Sequence, residues 1–206
     1  TGRDNFPPAT PRELSARLWL GSMPGLISGQ SPDRNIFYSS YLSTYVERDV
    51  RELSGSVDAL KFNRFVTAVA ARCSQLLNYK ALADDADIDM PTAKNWVNIL
   101  ETLGIIFLLH PYSNNVLKRT IKTPKVYFYD TGLVCYLTRW SSPEVAESGA
   151  MSGALLENFT VSEIMKSYQN AGLEPYLYFY RDRDAKEIDV ILEGDGKLCP
   201  LEIKKT

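Results

Sequence analysis

The chain has 206 residues, of which 45% are hydrophobic and 23% are charged, and its formal net charge is −2. This length is enough for one large domain or two small domains with real hydrophobic cores. The near-neutral charge excludes a global attraction to nucleic acid, so any DNA contact must come from a local patch. The sequence has no apolar run of about 18 residues and no recognisable signal peptide, so we expect no membrane partner.

The cysteines are odd in number and far apart, at Cys73, Cys135 and Cys199. This spacing fits neither a disulfide framework nor a zinc site. Each cysteine has apolar neighbours, which predicts buried thiols in a reducing compartment, and we therefore expect a cytoplasmic protein.

Proline, glycine and serine are concentrated in residues 1–35. This composition is typical of a linker, and we expect a linker or the edge of a missing upstream domain, with one short helix near residues 12–20. The chain begins with Thr1 rather than Met and stops two residues after Lys204. We therefore expect a fragment of a longer protein.

Residues 36–140 predict a helical region that contains a winged helix at about 60–125. Apolar residues recur at helical spacing in residues 35–53, 62–73, 79–86 and 91–103. Asn78 can cap one of these helices, and Pro91 can open the next one. Apolar strands at 105–109 and 126–129 would then form the wing.

The two parts of this winged helix differ in charge. Residues 78–104 contain two lysines and five acidic residues, a net charge of −3, which is unfavourable for reading a polyanion. The basic residues lie in the wing instead, at Lys118, Arg119, Lys122 and Lys125. They predict either sequence-independent contacts with DNA phosphates or an ordinary solvated loop.

The small, polar residues 141–153 predict a linker, and residues 150–206 a second domain. Its first element is a helix at about 154–168, followed by strands at 176–180, 187–193 and 198–204. Glu157 falls on the apolar arc of this helix, at helical spacing from Val161 and Ile164. A carboxylate on a core-facing arc is costly unless it is paired.

The sequence Asp195-Gly196 predicts a type I′ hairpin turn between the last two strands. Counting outward from this turn places Asp189 opposite Glu202, in a non-hydrogen-bonded pair where side chains come closest. Glu202 and Lys204 share one face of their strand. Facing carboxylates destabilise a sheet unless a cation lies between them.

Two carboxylates followed by Glu-x-Lys are the groups that a Mg²⁺- or Mn²⁺-dependent phosphodiesterase requires. Asp189, Glu202 and Glu157 would hold the metal, and Lys204 would serve the attacking water. The first alternative is a catalytically inactive DNA-binding or protein-docking module, in which the acidic residues form a structural ion-pair network through Lys204, Lys186 or Arg181. The second alternative is simple surface charge.

Several motifs resemble one family, the uncharacterised C-terminal domain that follows an AAA-type P-loop ATPase domain in many bacterial and archaeal proteins. The motifs occur in order and cover about residues 10–206. They are Tyr-Leu-Ser-Thr-Tyr-Val-Glu-Arg-Asp-Val-Arg at 41–51, Leu-Asn-Tyr at 77–79, Asn-Val-Leu-Lys-Arg at 115–119, Lys-Val-Tyr-Phe-Tyr-Asp-Thr-Gly-Leu at 125–133, Gly-Ala-Leu-Leu-Glu-Asn at 153–158 and Tyr-Phe-Tyr-Arg-Asp-Arg at 178–183.

This resemblance implies an α+β protein, in which a helical winged-helix region precedes a mixed α/β domain of the restriction-endonuclease-like PD-(D/E)-x-K type. Carried over, Asp189 and Glu202 would be metal ligands, Lys204 the water-orienting lysine, and Glu157 the helix acid of the resolvase-like branch. DNA and an upstream ATPase domain of the same protein would be the partners. The chain has no Gly-x-x-x-x-Gly-Lys-Ser/Thr motif, so ATP would bind only through that upstream domain.

Overall fold

A computed structural model describes residues 9–30, 33–55, 57–113, 123–182, 184 and 186–205, and the fold is α+β. The helices are α1 (Pro11–Leu20), α2 (Pro24–Ile27), α3 (Arg34–Ser40), α4 (Glu47–Ser54), α5 (Ala59–Ala70), α6 (Tyr79–Ala86), α7 (Met90–Thr102), α8 (Thr131–Leu137), α9 (Pro143–Ser148) and α10 (Ser152–Asn170). The strands are β1 (Ile106–Leu109), β2 (Lys125–Phe128), β3 (Leu177–Arg181), β4 (Glu187–Gly194) and β5 (Lys197–Leu201). None of the helices in these ranges is long and apolar enough to cross a membrane.

Most predicted elements are present with shifted ends. The helix predicted at 35–53 is α3 and α4 joined by a π-helical segment, Tyr41–Val46. The Asn78 side chain accepts the Ala81 N–H at the start of α6, as predicted. Helix α7 begins with Asp89 as its cap, and Pro91 lies in its first turn.

Two segments predicted as linkers are partly folded. In residues 11–27, α1 and α2 bury Leu18 and Leu26, and α1 packs on α8 and α9. Within residues 141–153, α9 buries Ala146. Helix α1 matches the short helix expected at 12–20. Helices α2 and α9 were not expected, because they are only four and six residues long and contain proline or glycine.

The N-terminal helices are fixed by the buried carboxylate of Asp130. It accepts hydrogen bonds from the Tyr38 hydroxyl at 2.7 Å, the Ser22 N–H at 2.6 Å and the Leu133 N–H at 2.7 Å. A Cβ atom at Gly132 would overlap the Tyr38 hydroxyl and the Leu20 carbonyl, so only glycine permits this close approach. The motif at 125–133 therefore has a packing role.

Strands β1 and β2 pair antiparallel and separate two hydrophobic cores. Ile106, Val126 and Phe128 face the first core, which α3 to α8 also line. Phe107 and Tyr127 point the opposite way, into a second core shared with α10, β3 and β4. The alternation follows from the two-residue period of a strand.

The C-terminal sheet has the order β3-β4-β5, and all neighbours are antiparallel. It is joined to the first sheet through the segment after β1, because the Phe179 N–H donates to the His110 carbonyl at 3.1 Å. The face that carries Val190 packs on Val161 and Met165 of α10. The two sheets and α10 thus enclose the second core.

Candidate functional site

The predicted hairpin is present. Asp195 and Gly196 both have positive φ, 51° and 69°, as a type I′ turn requires. The register pairs Val190 with Leu201 and Ile191 with Pro200. Strand β5 ends at Leu201 rather than at 204, so Asp189 and Glu202 lie one step beyond the last pair of the ladder.

The Asp189 carboxylate is used by the backbone. Its Oδ2 atom accepts the N–H of Ile203 at 2.7 Å. This bond fixes the chain just after β5 and leaves Ile203 packed against the second core. A predicted metal ligand thus has a structural partner.

Glu202 and Lys204 lie at the surface, with side chains 51% and 74% exposed. The Lys204 Nζ is 3.7 Å from Glu202 Oε1, and within the described residues this is the ion pair that Lys204 forms. An exposed pair of this kind contributes about 0 to 1 kcal/mol to stability.

The buried charges are gathered around a different lysine. We call Lys125, Tyr127, Glu157, Arg181 and Glu187 the Lys125 cluster. The Lys125 side chain is only 4% exposed, and its Nζ lies 2.9 Å from Glu157 Oε1 and also contacts the Glu187 carboxylate. The Tyr127 hydroxyl donates to the same Glu157 oxygen at 2.6 Å, and Arg181 Nη1 is 3.4 Å from Glu187 Oε2.

Strand period and helix position explain how these side chains meet. Lys125 and Tyr127 are two residues apart on β2, so both face α10. Glu157 lies on the apolar arc of α10, as predicted, and there it meets both of them. Glu187 starts β4 opposite Arg181 of β3. The cluster therefore joins four elements, β2, α10, β3 and β4, around one buried ammonium group.

Lys125 requires a correction to the wing interpretation. It was expected to contact phosphates from an exposed wing, but it is 3% exposed and its ammonium group is held by carboxylates. The reason is that Lys125 is the first residue of β2, beneath α10. The other wing residues, Lys118, Arg119 and Lys122, lie outside the described residues.

Burial and charge shift the pKa values of Lys125 and Glu157 in opposite directions. Burial lowers the pKa of Lys125, but the attraction of Glu157 and the bonds to Glu187 outweigh it and raise that pKa above 10.5. Burial raises the pKa of Glu157, against the attraction of Lys125 and the bond from Tyr127. Burial, together with the negative charge of Glu157, raises the pKa of Tyr127, so this hydroxyl stays a donor.

Sequence reasoning missed Asn158, the neighbour of Glu157. Asn158 is fully buried, and its amide accepts the N–H of Phe128 at 2.8 Å and donates to the carbonyl of the same residue at 2.8 Å. The available signal in the sequence was an asparagine among the apolar residues of a helix. A side-chain amide in such a position needs hydrogen-bond partners.

The three predicted metal ligands are not brought together. Among the residues that the structure describes, no group of three or more His, Cys, Asp or Glu side chains is arranged to hold a metal ion. Glu157 belongs to the Lys125 cluster, Asp189 binds the backbone, and Glu202 lies at the surface.

The fold and this site define an α+β protein in which two partly buried carboxylates hold a buried lysine. The profile of a family described as a domain of unknown function, DUF8612, matches residues 11–144. The chain belongs to this family. A second domain of unknown function, DUF4143, matches residues 152–206.

Two uncharacterized proteins are similar to this chain, Rv2008c of Mycobacterium tuberculosis and Mb2031c of Mycobacterium bovis. Each is 30% identical over 193 residues, which are 92% of this chain and 43% of the relative. The chain thus spans less than half the length of these relatives. No solved structure matches it.

Proposed function

We propose that this chain is a non-catalytic docking part of a longer protein, in which partly buried carboxylates pair with a buried lysine instead of binding a metal. One observation carries the proposal: the ammonium group of Lys125 lies between Glu157 and Glu187, in the position where a bound cation would neutralise them. An internal cation makes an external one unnecessary.

The donor set does not fit Mg²⁺ or Mn²⁺. Mg²⁺ requires near-octahedral oxygen ligands at about 2.1 Å. Glu157 Oε1 already accepts hydrogen bonds from Lys125 and Tyr127, and Asp189 Oδ2 accepts a hydrogen bond from the N–H of Ile203. A metal at the Glu157 oxygen would have to displace the buried Lys125 ammonium group from one of its two carboxylate partners, and a metal at Asp189 Oδ2 would have to displace the N–H of Ile203.

The longer protein in this proposal is of the ATPase type. DUF4143 is often found in ATPase-associated proteins, and the relatives have length beyond the matched part. The order α5, α6, α7, β1, β2 and the three-stranded sheet with α10 support a winged helix followed by a nuclease-type fold. ATP would then be bound elsewhere in the longer protein.

Charge favours a protein partner over DNA. The net charge of −3 in residues 78–104 lies on and around α6 and α7, where Glu101 and Asp89 are exposed. An acidic surface repels phosphates and attracts a basic protein surface. Lys125, one of the basic residues expected to offset it, is buried.

Metal-dependent cleavage of DNA phosphodiesters stays a second prediction. Its support is the register, which brings Asp189 next to Glu202 at the end of the hairpin. The cleavage proposal requires a metal that depends on Asp189, whereas the docking proposal requires none. This difference makes the two proposals separable.

Calorimetric titration with MnCl₂ tests them, using the wild-type chain and Asp189→Asn. We expect the same small heats from both, because the carboxylates are already neutralised. Saturable binding that disappears in Asp189→Asn would overturn the docking proposal and favour the nuclease. A column carrying the chain should also retain the separately expressed remainder of the longer protein in a salt-sensitive way, and retention of duplex DNA instead would contradict docking.

A further inference from the structure

A small pocket lies outside the Lys125 cluster, between α1, α9, the start of α10 and the residues after β5. Its volume is about 200 Å³. The aliphatic part of its wall is formed by Leu14, Leu18, Leu155 and Leu156. Walls of this kind bind a hydrocarbon body.

The hydroxyl of Ser15 lies in this wall. Ser15 is 8% exposed, and no residue in the described part of the chain forms a hydrogen bond with its hydroxyl. The oxygen is open to the pocket rather than sealed in the core, so water can bond to it in the free protein. A polar ligand atom can take the place of that water.

The charges around the pocket favour an anion. Lys204 and Lys205 contribute two ammonium groups, and Glu147 contributes one carboxylate, so the lining has a net charge of +1. Lys205 Nζ is fixed by the Glu147 carbonyl and by Ser152 Oγ. Lys204 is exposed, and among the described residues its ammonium group pairs with Glu202 at 3.7 Å, which leaves N–H donors for a ligand.

The volume limits the size of the ligand. An engineered apolar cavity of about 150 Å³ binds benzene, and sites for drug-sized ligands start at about 300 Å³. A pocket of about 200 Å³ therefore fits a molecule slightly larger than benzene.

We propose that this pocket binds a small aliphatic monocarboxylate. The hydrocarbon chain would pack on the leucines, and the carboxylate would bind the Ser15 hydroxyl and the ammonium group of Lys204. This gives Lys204 a binding role that differs from the water-orienting role predicted from the Glu-x-Lys motif.

The test is calorimetric or NMR titration of the chain with hexanoate and with 1-hexanol, which has the same chain length and no charge. We expect hexanoate to bind at least about tenfold more tightly, because a charge-assisted hydrogen bond is lost in the alcohol. Lys204→Met should weaken hexanoate binding about five- to tenfold and leave hexanol binding unchanged.

Lys197→Met is the matched control, because Lys197 is an exposed lysine of β5 that does not line the pocket. It should bind hexanoate like the wild type. Ser15→Leu should abolish binding by filling the pocket, with the fold checked by circular dichroism. Equal binding of hexanoate and hexanol, no binding, or an unchanged affinity in Lys204→Met would each overturn the proposal. None of these results affects the docking proposal, which is tested with metal and with a protein partner.

Discussion

At the scale of single residues, the free energy of the Lys125 ammonium group depends on its protein partners more than that of an exposed lysine does. It contacts two carboxylates and lies 5.6 Å from the centre of the Phe179 ring. Removing such a group from water costs several kcal/mol, which close ion pairs only partly offset. Removing one partner is worse, because it leaves the opposite charge buried without compensation.

Lys125→Met should therefore destabilise the fold by about 3 kcal/mol or more. Glu157 and Glu187 would repel each other without a cation between them. The measurement is urea unfolding near pH 7. Lys80→Met is the control, because Lys80 is 75% exposed and its pair with Asp84 contributes only about 0.5 kcal/mol.

The difference in stability between wild type and Lys125→Met should also depend on pH. The pKa of Lys125 is raised in the folded state, so its stabilising contribution is complete below pH 10.5 and is lost as the pH rises through the folded pKa. The stability difference between wild type and Lys125→Met should be constant near neutral pH and shrink in this alkaline range. A difference that stays constant up to pH 12, or a Lys125→Met variant as stable as Lys80→Met, would show that the ion pair does not hold the fold.

At the scale of elements, Asn158 attaches α10 to β2. Its amide satisfies both backbone groups of Phe128, and these groups lie in the interior, where water cannot replace the bonds. The contact takes the place of a further strand beside Phe128. Helix α10 is thus bound to the first sheet by directional bonds as well as by apolar packing.

Asn158→Ala should destabilise the chain by about 2 to 4 kcal/mol, since two buried backbone groups each lose a partner. Asn95→Ala is the matched control, because Asn95 lies on the exposed side of α7. Thermal or urea unfolding followed by circular dichroism measures both. If the two variants had equal stability, the amide bonds to Phe128 would have no net role.

Elements also show how far sequence reasoning can go. The register of β4 and β5 was predictable, because Asp195-Gly196 fixes a two-residue turn and pairing then follows by counting. The partner of Glu157 was not, because Lys125 lies 32 residues away in sequence, on a strand of the first sheet. The inward position of Glu157 was evident from helical spacing, whereas the cation that it meets depends on how α10 packs on β2.

At the scale of the whole molecule, the regions matched by the two families share both hydrophobic cores. Phe107 and Tyr127 from the first region pack with Val161 and Phe179 from the second. Leu155 of the second region lies in the first core. Neither region can be removed without exposing apolar surface of the other.

The regions should consequently unfold in one transition. Trp19, Trp96 and Trp140 report on the first region by fluorescence. Cys199 reports on the second, because it is exposed, whereas burial raises the thiol pKa of Cys73 and of Cys135 to about 12 and keeps both unreactive. A thiol dye should react with Cys199 alone in the native state. The exposure of Cys199 also corrects the prediction that all three thiols are buried.

Tryptophan fluorescence and dye fluorescence should give the same urea midpoint, within error. Two separate midpoints would mean that the second region unfolds independently. Cys199→Ser is the control, since it should remove native labelling without changing the tryptophan curve.

The alternation along β2 has a consequence for how the strands find their partners during folding. A slip of one residue would turn Lys125 into the first core, away from Glu157 and Glu187, and would place Val126 beside these two carboxylates. Apolar residues on both faces of a short strand discriminate poorly between such alignments, whereas a misplaced charge is penalised heavily. The ion pairs of Lys125 thus favour the native alignment of β2 over its neighbours in register.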